Sequence, residues 1–381
     1  MVNYKQIIKN LIQPRHSEHE ADKSLIIIVG LILTFGLIML ASASLIVAYN
    51  TYHDSYYFLK RQLIGLTLGL VAFWFFSKFN YHRLRKYAIW MLVFSIVLLS
   101  LVFIPGLGRE VNNSRSWIAI AGHPIMQPSE FVKLTFLLYL AAWLEGRKEK
   151  LKEFSQGIGP FIVIFGIITL LMILQPDIGT LSIIALTSLI VYFVGGGKVS
   201  HLLIIILLGI IAIGILTNYK PHLLNRFKCF IDPSFSQKDY CYQVNQSLIA
   251  VGSGGIFGRG LGASRQKFLY LPEVQADAIF PIIGEETGLL FSSGLIILYF
   301  ILFYRGFLIA RKAPDDYGRI LAIGIVFWIV FQTLVNIGGM INAIPMTGVP
   351  LPLISAGGSS MLSTLAALGI LINISKQTKL K

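Results

Sequence analysis

Apolar residues run along this chain in long unbroken blocks, separated by short polar stretches that are often basic. The blocks are Ser24–Ala48, Leu63–Phe76, Tyr87–Ile104, Pro128–Leu144, Ile158–Leu174, Gly179–Val194, Leu202–Thr217, Ala278–Phe303, Ile320–Ile341 and Met361–Ile374. They show no amphipathic rhythm, and most approach the ~20 residues a helix needs to cross ~30 Å of hydrocarbon. The shortest, 63–76, gains length from the amphipathic Tyr56–Gln62. The pattern predicts an all-α polytopic membrane protein with ten transmembrane helices. One long loop, Asn218–Asp277, separates spans seven and eight. Flanking the membrane domain 24–374 are a polar tail, 1–23, and a short tail, 375–381.

Composition agrees. Of 381 residues, 55% are hydrophobic and only 13% charged, too few charges for a soluble surface of this size. No cleavable leader is apparent, because the first block is long enough to span and stay. The net charge of +14 is dispersed among loops. It therefore argues for membrane topology and anionic lipid, not for a nucleic-acid surface. Placing both termini in the cytoplasm gathers the N-tail, Lys78–Lys86, Arg147–Lys152, Lys198, Arg305–Arg319 and the C-tail on one side. The long loop then faces outside. Its Cys229 and Cys241 are the chain's two cysteines, and an oxidising face permits them to pair. The alternative is two unrelated thiols.

Candidate chemistry gathers at the outer ends of the spans. Val251–Leu290 is glycine-rich, carries Arg259, Arg265 and Lys267, and presents Glu273 and Asp277. It runs into an apolar span holding Glu285 and Glu286. Ionisable groups at a hydrocarbon boundary are costly, so such a stretch is where a charged substrate would be held. The glycine spacing at 255–260 is a weak nucleotide signal without a preceding strand. Three more segments join it. Arg109 and Arg115 could clamp phosphate, near Glu130 and Lys133 in the following span. Gln175-Pro176-Asp177 breaks two blocks and leaves one acid at the boundary. The Pro/Gly run Gly348–Ser360, with Ser355 and Ser359, cannot be regular helix. The picture is a cavity rimmed by cations and acids, lined by Glu130, Glu285, Glu286, Ser355 and Ser359.

Each residue has a plainer alternative. Lys133 and Asp177 would neutralise each other as a structural ion pair. Glu285 and Glu286 would be polar glue between helices. Arg109, Arg115 and Lys267 would anchor lipid headgroups. Asp277 would cap a helix N-terminus.

GREVNNSRSWI with QPSEFVKL, LQPDIGT, YQVNQSLIAVGSGGIFGRGLGASRQKFLYLPEVQADAIFPIIGEETG and GVPLPLISAGGSS follow one another along the chain. These segments resemble, in family order, the motifs of the SEDS family (shape, elongation, division and sporulation), whose known branches are FtsW and RodA. GLGASRQKFLYLPE is closer to the FtsW branch and GVPLPLIS to the RodA branch, with the balance toward FtsW. The resemblance implies a peptidoglycan glycosyltransferase of the bacterial cytoplasmic membrane that polymerises lipid II at the outer face, in division or elongation. It implies Asp277 as the general base of an inverting displacement and Glu273 as a supporting acid. Arg109, Arg115 and Lys267 are the cations placed on the substrate pyrophosphate. A class B penicillin-binding protein is the implied partner, alongside other divisome or elongasome proteins, docking on Ala278–Phe303 or Ile320–Ile341. Whether a divalent cation, Mg or Mn, bridges the pyrophosphate stays open. Rival readings are a lipid II flippase and a non-catalytic scaffold. The chain departs from the family pattern at Gln275-Ala276, Ala278 and Ala356, where His-Thr, an aromatic and a Tyr are usual.

Overall fold

A computed structural model describes residues 19–379 apart from 112–113, 121–122, 149 and 220. The predicted tail segment 1–18 and residues 380–381 lie outside the described residues. Each apolar block is the body of a helix. These are α1 (Lys23–Tyr52), α2 (Tyr57–Lys78), α4 (Ala88–Leu101), α5 (Pro128–Glu145), α6 (Gly159–Leu174), α7 (Ile178–Val194), α8 (Val199–Tyr219), α11 (Ile279–Arg311), α12 (Asp316–Met340) and α13 (Gly358–Lys376). Short helix α3 (Tyr81–Lys86) bridges α2 and α4. Among the described residues, seven helices are long and apolar enough to cross a membrane, α6 among them with its π-helical lead-in from Phe154. Two more, α4 and α7, are apolar but shorter. The remaining one, α5, begins with Pro128 in its first turn and buries Glu130 and Lys133. The chain is a multi-pass membrane protein.

Two features depart from the expectation of helices and plain loops. Residues 108–126 form a three-stranded antiparallel sheet of β1 (Gly108–Val111), β2 (Ser114–Ile120) and β3 (His123–Met126). Alternating Ser114-Arg115-Ser116-Trp117-Ile118 is a strand pattern too short to register beside twenty-residue blocks. The long loop also carries structure: α9 (Pro221–Ile231) and α10 (Tyr242–Ser253).

Small residues set the closest helix contact. On α2, Gly65 faces Gly358 of α13, where a Cβ would stand 2.7 Å from the Gly358 Cα. Gly69 faces Leu365, and Gly369 faces the Phe73 backbone. Without a hydrophobic drive between helices in lipid, such close backbone approach is what holds a pair together. Helices α5, α12 and α13 are buried along most of their length and form the centre. Helix α8 is exposed along most of its length, as a lipid-facing helix is.

The basic loops meet at one end. Asp22 caps α1 and binds Arg305 at 2.7 Å, Arg85 binds Glu145 at 2.9 Å, and His82 meets Asp315 at 3.0 Å. Lys148 pairs with Asp316 in the same cluster. At the opposite end lie the sheet, the 175–177 break, the folded segment 254–278 and the irregular run 341–357.

Candidate active site

Asp277 lies two residues before α11 and is only partly exposed. Its position is set through its backbone. Asn336 on α12 donates from Nδ2 to the Asp277 carbonyl and to the Val349 carbonyl, each at 2.8 Å. One turn earlier, Gln332 donates to the Pro350 carbonyl at 2.9 Å. Residues at i and i+4 share a helix face, so α12 presents a ladder of amides that holds the irregular 349–350 segment beside Asp277. That segment lacks helical hydrogen bonds of its own, and side chains supply the partners that lipid cannot.

The 355–357 run closes the other side. Ser355 Oγ donates to the Ala276 carbonyl, and the Ala356 amide donates to the Gln275 carbonyl at 2.8 Å. Buried Gln62 of α2 clamps this run from behind. Its Nε2 donates to the Ser355 carbonyl and its Oε1 accepts from the Gly357 amide, both at 3.0 Å. Ser359 Oγ accepts from the Gln127 amide at 3.1 Å, which ties α13 to the end of the sheet.

Among the described residues, groups from other elements approach the carboxylate, beside Glu273 of its own segment. Gln243 of α10 stands 3.5 Å from Oδ1. Gly348 has φ +77, and a Cβ there would stand 3.5 Å from Oδ2. Arg226 of α9 donates to the neighbouring Thr347 carbonyl at 3.2 Å and lies close enough to Asp277 for their charges to couple. Burial, reinforced by the like charge of Glu273, pushes the Asp277 carboxyl up to about 7, against the pull of Arg226 and nearby backbone amides. Burial in turn draws Arg226 down from its ordinary range, opposed by Asp277. A carboxylate poised near neutrality is suited to taking a proton in a reaction. Asn336 Oδ1, Thr347 Oγ1 and Gln275 Oε1 are buried here without a protein hydrogen-bond partner. Such atoms each cost about 1–3 kcal/mol, so their gathering marks a place that meets polar ligand or solvent.

The remaining sequence-predicted residues separate into other clusters. Lys133 does not pair with Asp177. Its Nζ is 2.9 Å from Glu130 and 2.7 Å from Gln332 Oε1, and it lies over the Trp328 ring. Glu130 is three residues back on the same helix, so the buried lysine finds its counter-ion within one turn. Asp177 is occupied elsewhere: it caps α7 through the Thr180 amide and accepts from Ser129 Oγ at 2.7 Å. Glu130 is thus sealed against Lys133 and lines no open cavity.

Lys267 is also displaced from its expected role. It is 4% exposed and binds Glu286 at 2.8 Å, with Ser42 Oγ bonded to both. Glu285 accepts from Ser264 Oγ at 2.6 Å and from the amides of Arg265 and Gln266. Both glutamates are 1% exposed, so they too line no cavity. The physical reason is a break in α11. Gly288 has φ +71, and the carbonyls of Glu285 and Glu286 turn to accept from the amides of Arg259 and Gly260, each at 3.0 Å. Gly258, at φ +81, approaches so closely that a Cβ would stand 2.2 Å from the Glu286 carbonyl oxygen. The glycine-rich segment is therefore a cap wrapped around two buried acids, and Lys267 neutralises one of them.

Arg109 is exposed on β1, and Arg115 is part-buried on β2 with its Nε beside Gly108. No hydrogen bond or ion pair joins either to Asp277 among the described residues. Cys229 and Cys241 form a disulfide. Among the described residues no group of three or more His, Cys, Asp and Glu is placed to hold a metal ion. The sequence reading missed Arg226, Gln243, Asn336, Gln332 and Gln62. For Arg226 a signal existed: it is a charged residue within a short amphipathic segment, three residues before Cys229.

This arrangement, an acid shifted to about 7 and held by irregular backbone at one end of a helical membrane bundle, agrees with what the chain resembles. Residues 22–380 match the FtsW/RodA/SpoVE family of cell cycle proteins, and the chain belongs to that family. It is 39% identical to stage V sporulation protein E of Bacillus subtilis (strain 168), covering 94% of this chain and 98% of that one. It is 37% identical to a probable peptidoglycan glycosyltransferase FtsW of Trichlorobacter lovleyi, covering 95% and 94%. Among solved structures, it superposes on a chain of a peptidoglycan synthase complex with a TM-score of 0.74, at 28% identity and 93% and 97% coverage. The rod shape determining protein RodA of Thermus thermophilus gives 0.69 at 28% identity, covering 94% and 97%.

Proposed function

We propose that the chain is a peptidoglycan glycosyltransferase that polymerises lipid II, with Asp277 as the general base. The observation that carries this is the Asp277 carboxyl itself: half-buried, crowded by Glu273, and held near neutral pKa among amides that fix its backbone. The names of the relatives support the same activity. In the step, Asp277 takes the proton of a sugar hydroxyl as its oxygen attacks the anomeric carbon of a lipid-linked strand. The bond from that carbon to the pyrophosphate oxygen breaks, and the pyrophosphate leaves with the electron pair. One displacement without a covalent enzyme intermediate inverts the anomeric centre. A neutral-range acid fits this work, since general-base help contributes about 10²–10⁴-fold.

Arg226 is the cation beside the base, and Arg109 and Arg115 remain candidates for the pyrophosphate from the sheet. Lys267 drops out of that role because Glu286 holds it. A divalent cation, Mg or Mn, would have to come with the substrate phosphates, because among the described residues no group of three or more His, Cys, Asp and Glu is placed to hold one. It would neutralise charge on the leaving group. For a class B penicillin-binding protein as partner, α12 is too buried to offer a docking face. The exposed stripe Leu289, Leu290, Phe291, Ile297 and Phe300 on α11 is the better candidate. The site would face outside, with both termini in the cytoplasm.

The test is polymerisation of lipid II by the purified protein in detergent, where sidedness vanishes and a flippase would show nothing. Glycan strands from the wild type and none from Asp277→Asn support the reading. A well-folded Asp277→Asn protein of wild-type activity overturns it.

A further inference from the structure

Helices α8 and α9 form an arm at the edge of the bundle. Helix α8 exposes Leu203, Leu207, Ile210 and Ile211, and α9 packs mainly on α8. Among the described residues, hydrogen bonds tie the arm to the site and to the body. Arg226 binds the Thr347 carbonyl at 3.2 Å, and Asn342 binds the Phe230 carbonyl at 3.3 Å. Asn245 of α10 binds the Pro233 carbonyl at 3.0 Å, and the Cys229–Cys241 disulfide adds a covalent cross-link. It joins α9 to the residue that opens α10, a helix that buries Val244, Ser247 and Ala250 against the body. Arg226 lies three residues before Cys229 and on its helix face, and Gln243 lies two residues after Cys241. The bond thus sits between the two helices that bring Arg226 and Gln243 to Asp277.

We propose that the Cys229–Cys241 disulfide is a positioning element of the Asp277 site, stapling the peripheral arm so that Arg226 stays at the Thr347–Gly348 segment beside the carboxylate. Only its kinetic arm rests on the polymerase reading above. Reduction by a dithiol or phosphine breaks the S–S bond, adds two electrons and two protons, gives two thiols and oxidises the reagent. The arm is then held by the Arg226, Asn342 and Asn245 hydrogen bonds, by α8 and by the 232–240 segment, without the cross-link, and it opens more often. Arg226 and Glu273 are the charged groups facing Asp277, from α9 and from its own segment. Loss of the positive one leaves the repulsive one opposed by backbone amides alone, so Asp277 holds its proton to higher pH.

The experiment uses the full chain in lipid nanodiscs, as wild type and as Cys229→Ser/Cys241→Ser. The double variant is included because both sulfurs are buried from reductant. Amide hydrogen exchange is read first. Residues 221–231 are expected to exchange about tenfold faster without the bond, while α11 is unchanged. Unchanged exchange in 221–231 overturns the proposal whatever the activity of the protein. The pH–rate profile of lipid II polymerisation is read second. Without the disulfide, kcat falls and the acid limb moves to higher pH. Arg226→Ala in the oxidised protein gives the same shift, and combining the changes adds nothing further. A disulfide with a merely structural role would lower Tm and leave the acid limb in place, which also overturns the proposal. Should wild type fail to polymerise lipid II, the proposed function falls, and the exchange measurement still decides the staple.

Discussion

Asn336, about one turn from the end of α12, holds the backbone of Asp277: its Nδ2 reaches the Asp277 carbonyl at 2.8 Å and the Val349 carbonyl at the same distance. One amide therefore fixes the distance between the acid and the irregular segment opposite it. Asn336→Leu removes both donors and leaves two carbonyls unpaired, at about 1–3 kcal/mol each. We expect a lower Tm together with a loss of turnover, since a displaced base costs rate even when substrate still binds. Asn336→Ala with unchanged kcat would show that the acid is placed by other contacts.

Asp277 trades stability for activity. Its folded pKa of about 7 lies above the ~3.9 of an unfolded aspartate. Below pH 4 the group is protonated in both states and costs nothing. As pH rises from 4 to 7 the unfolded chain gives up the proton and the folded chain keeps it, so stability falls across that window. Asp277→Asn is expected to raise Tm at pH 8 while losing about 10²–10⁴-fold in polymerisation. The gain in Tm should vanish at pH 4. Thermal melts across this range check it, and a Tm lowered at pH 8 would contradict it.

Lys133 and Glu130 form a buried pair. Lys133→Met leaves Glu130 without its counter-ion, and removing one partner of a buried pair typically costs about 3–5 kcal/mol. Glu130→Gln with Lys133→Met is expected to cost much less than the sum of the two single changes. Asp177→Asn should not rescue Lys133→Met, because Asp177 binds Ser129 and Thr180 instead. Denaturation midpoints of the four proteins in one detergent measure the coupling.

Lys267 and Arg226 should separate cleanly. Lys267 is bound to Glu286 inside the glycine-rich cap. Lys267→Ala is therefore expected to destabilise the protein by about 3–5 kcal/mol, visible as protease cleavage in 254–267. In the protein that remains folded, KM should hold. Arg226→Ala should instead lower kcat with a smaller loss of stability. A raised KM from Lys267→Ala at unchanged protease resistance would return that lysine to the substrate.

How much of this was legible in the sequence follows from the range of the forces involved. The ten apolar blocks were legible because a helix in lipid must satisfy its own backbone and bury about twenty residues, a requirement written in consecutive positions. The irregular run at 348–357 was legible for the same reason, since Pro350 and Pro352 forbid helix locally. Asp277 stood out as an acid at the junction of loop and span. The sheet at 108–126 was not legible, because its strands are short and gain their order from pairing with one another.

The choice of partners belonged to the tertiary structure. Sequence placed Lys133, Asp177, Lys267, Glu285 and Glu286 at one end of the bundle, but charge alone lets any cation answer any acid. What decided was reach and burial. Lys133 found Glu130 one turn away on its own helix, Asp177 was already spent on capping α7, and the break at Gly288 drew the glycine-rich segment over Glu286 until Lys267 was its counter-ion. Arg226 came to Asp277 only through the packing of α9, which sets it on the Thr347 carbonyl. The attraction that offsets a buried charge weakens as its partner moves away, so a few ångströms of packing, which no linear pattern encodes, settled which residue serves the site and which serves the fold.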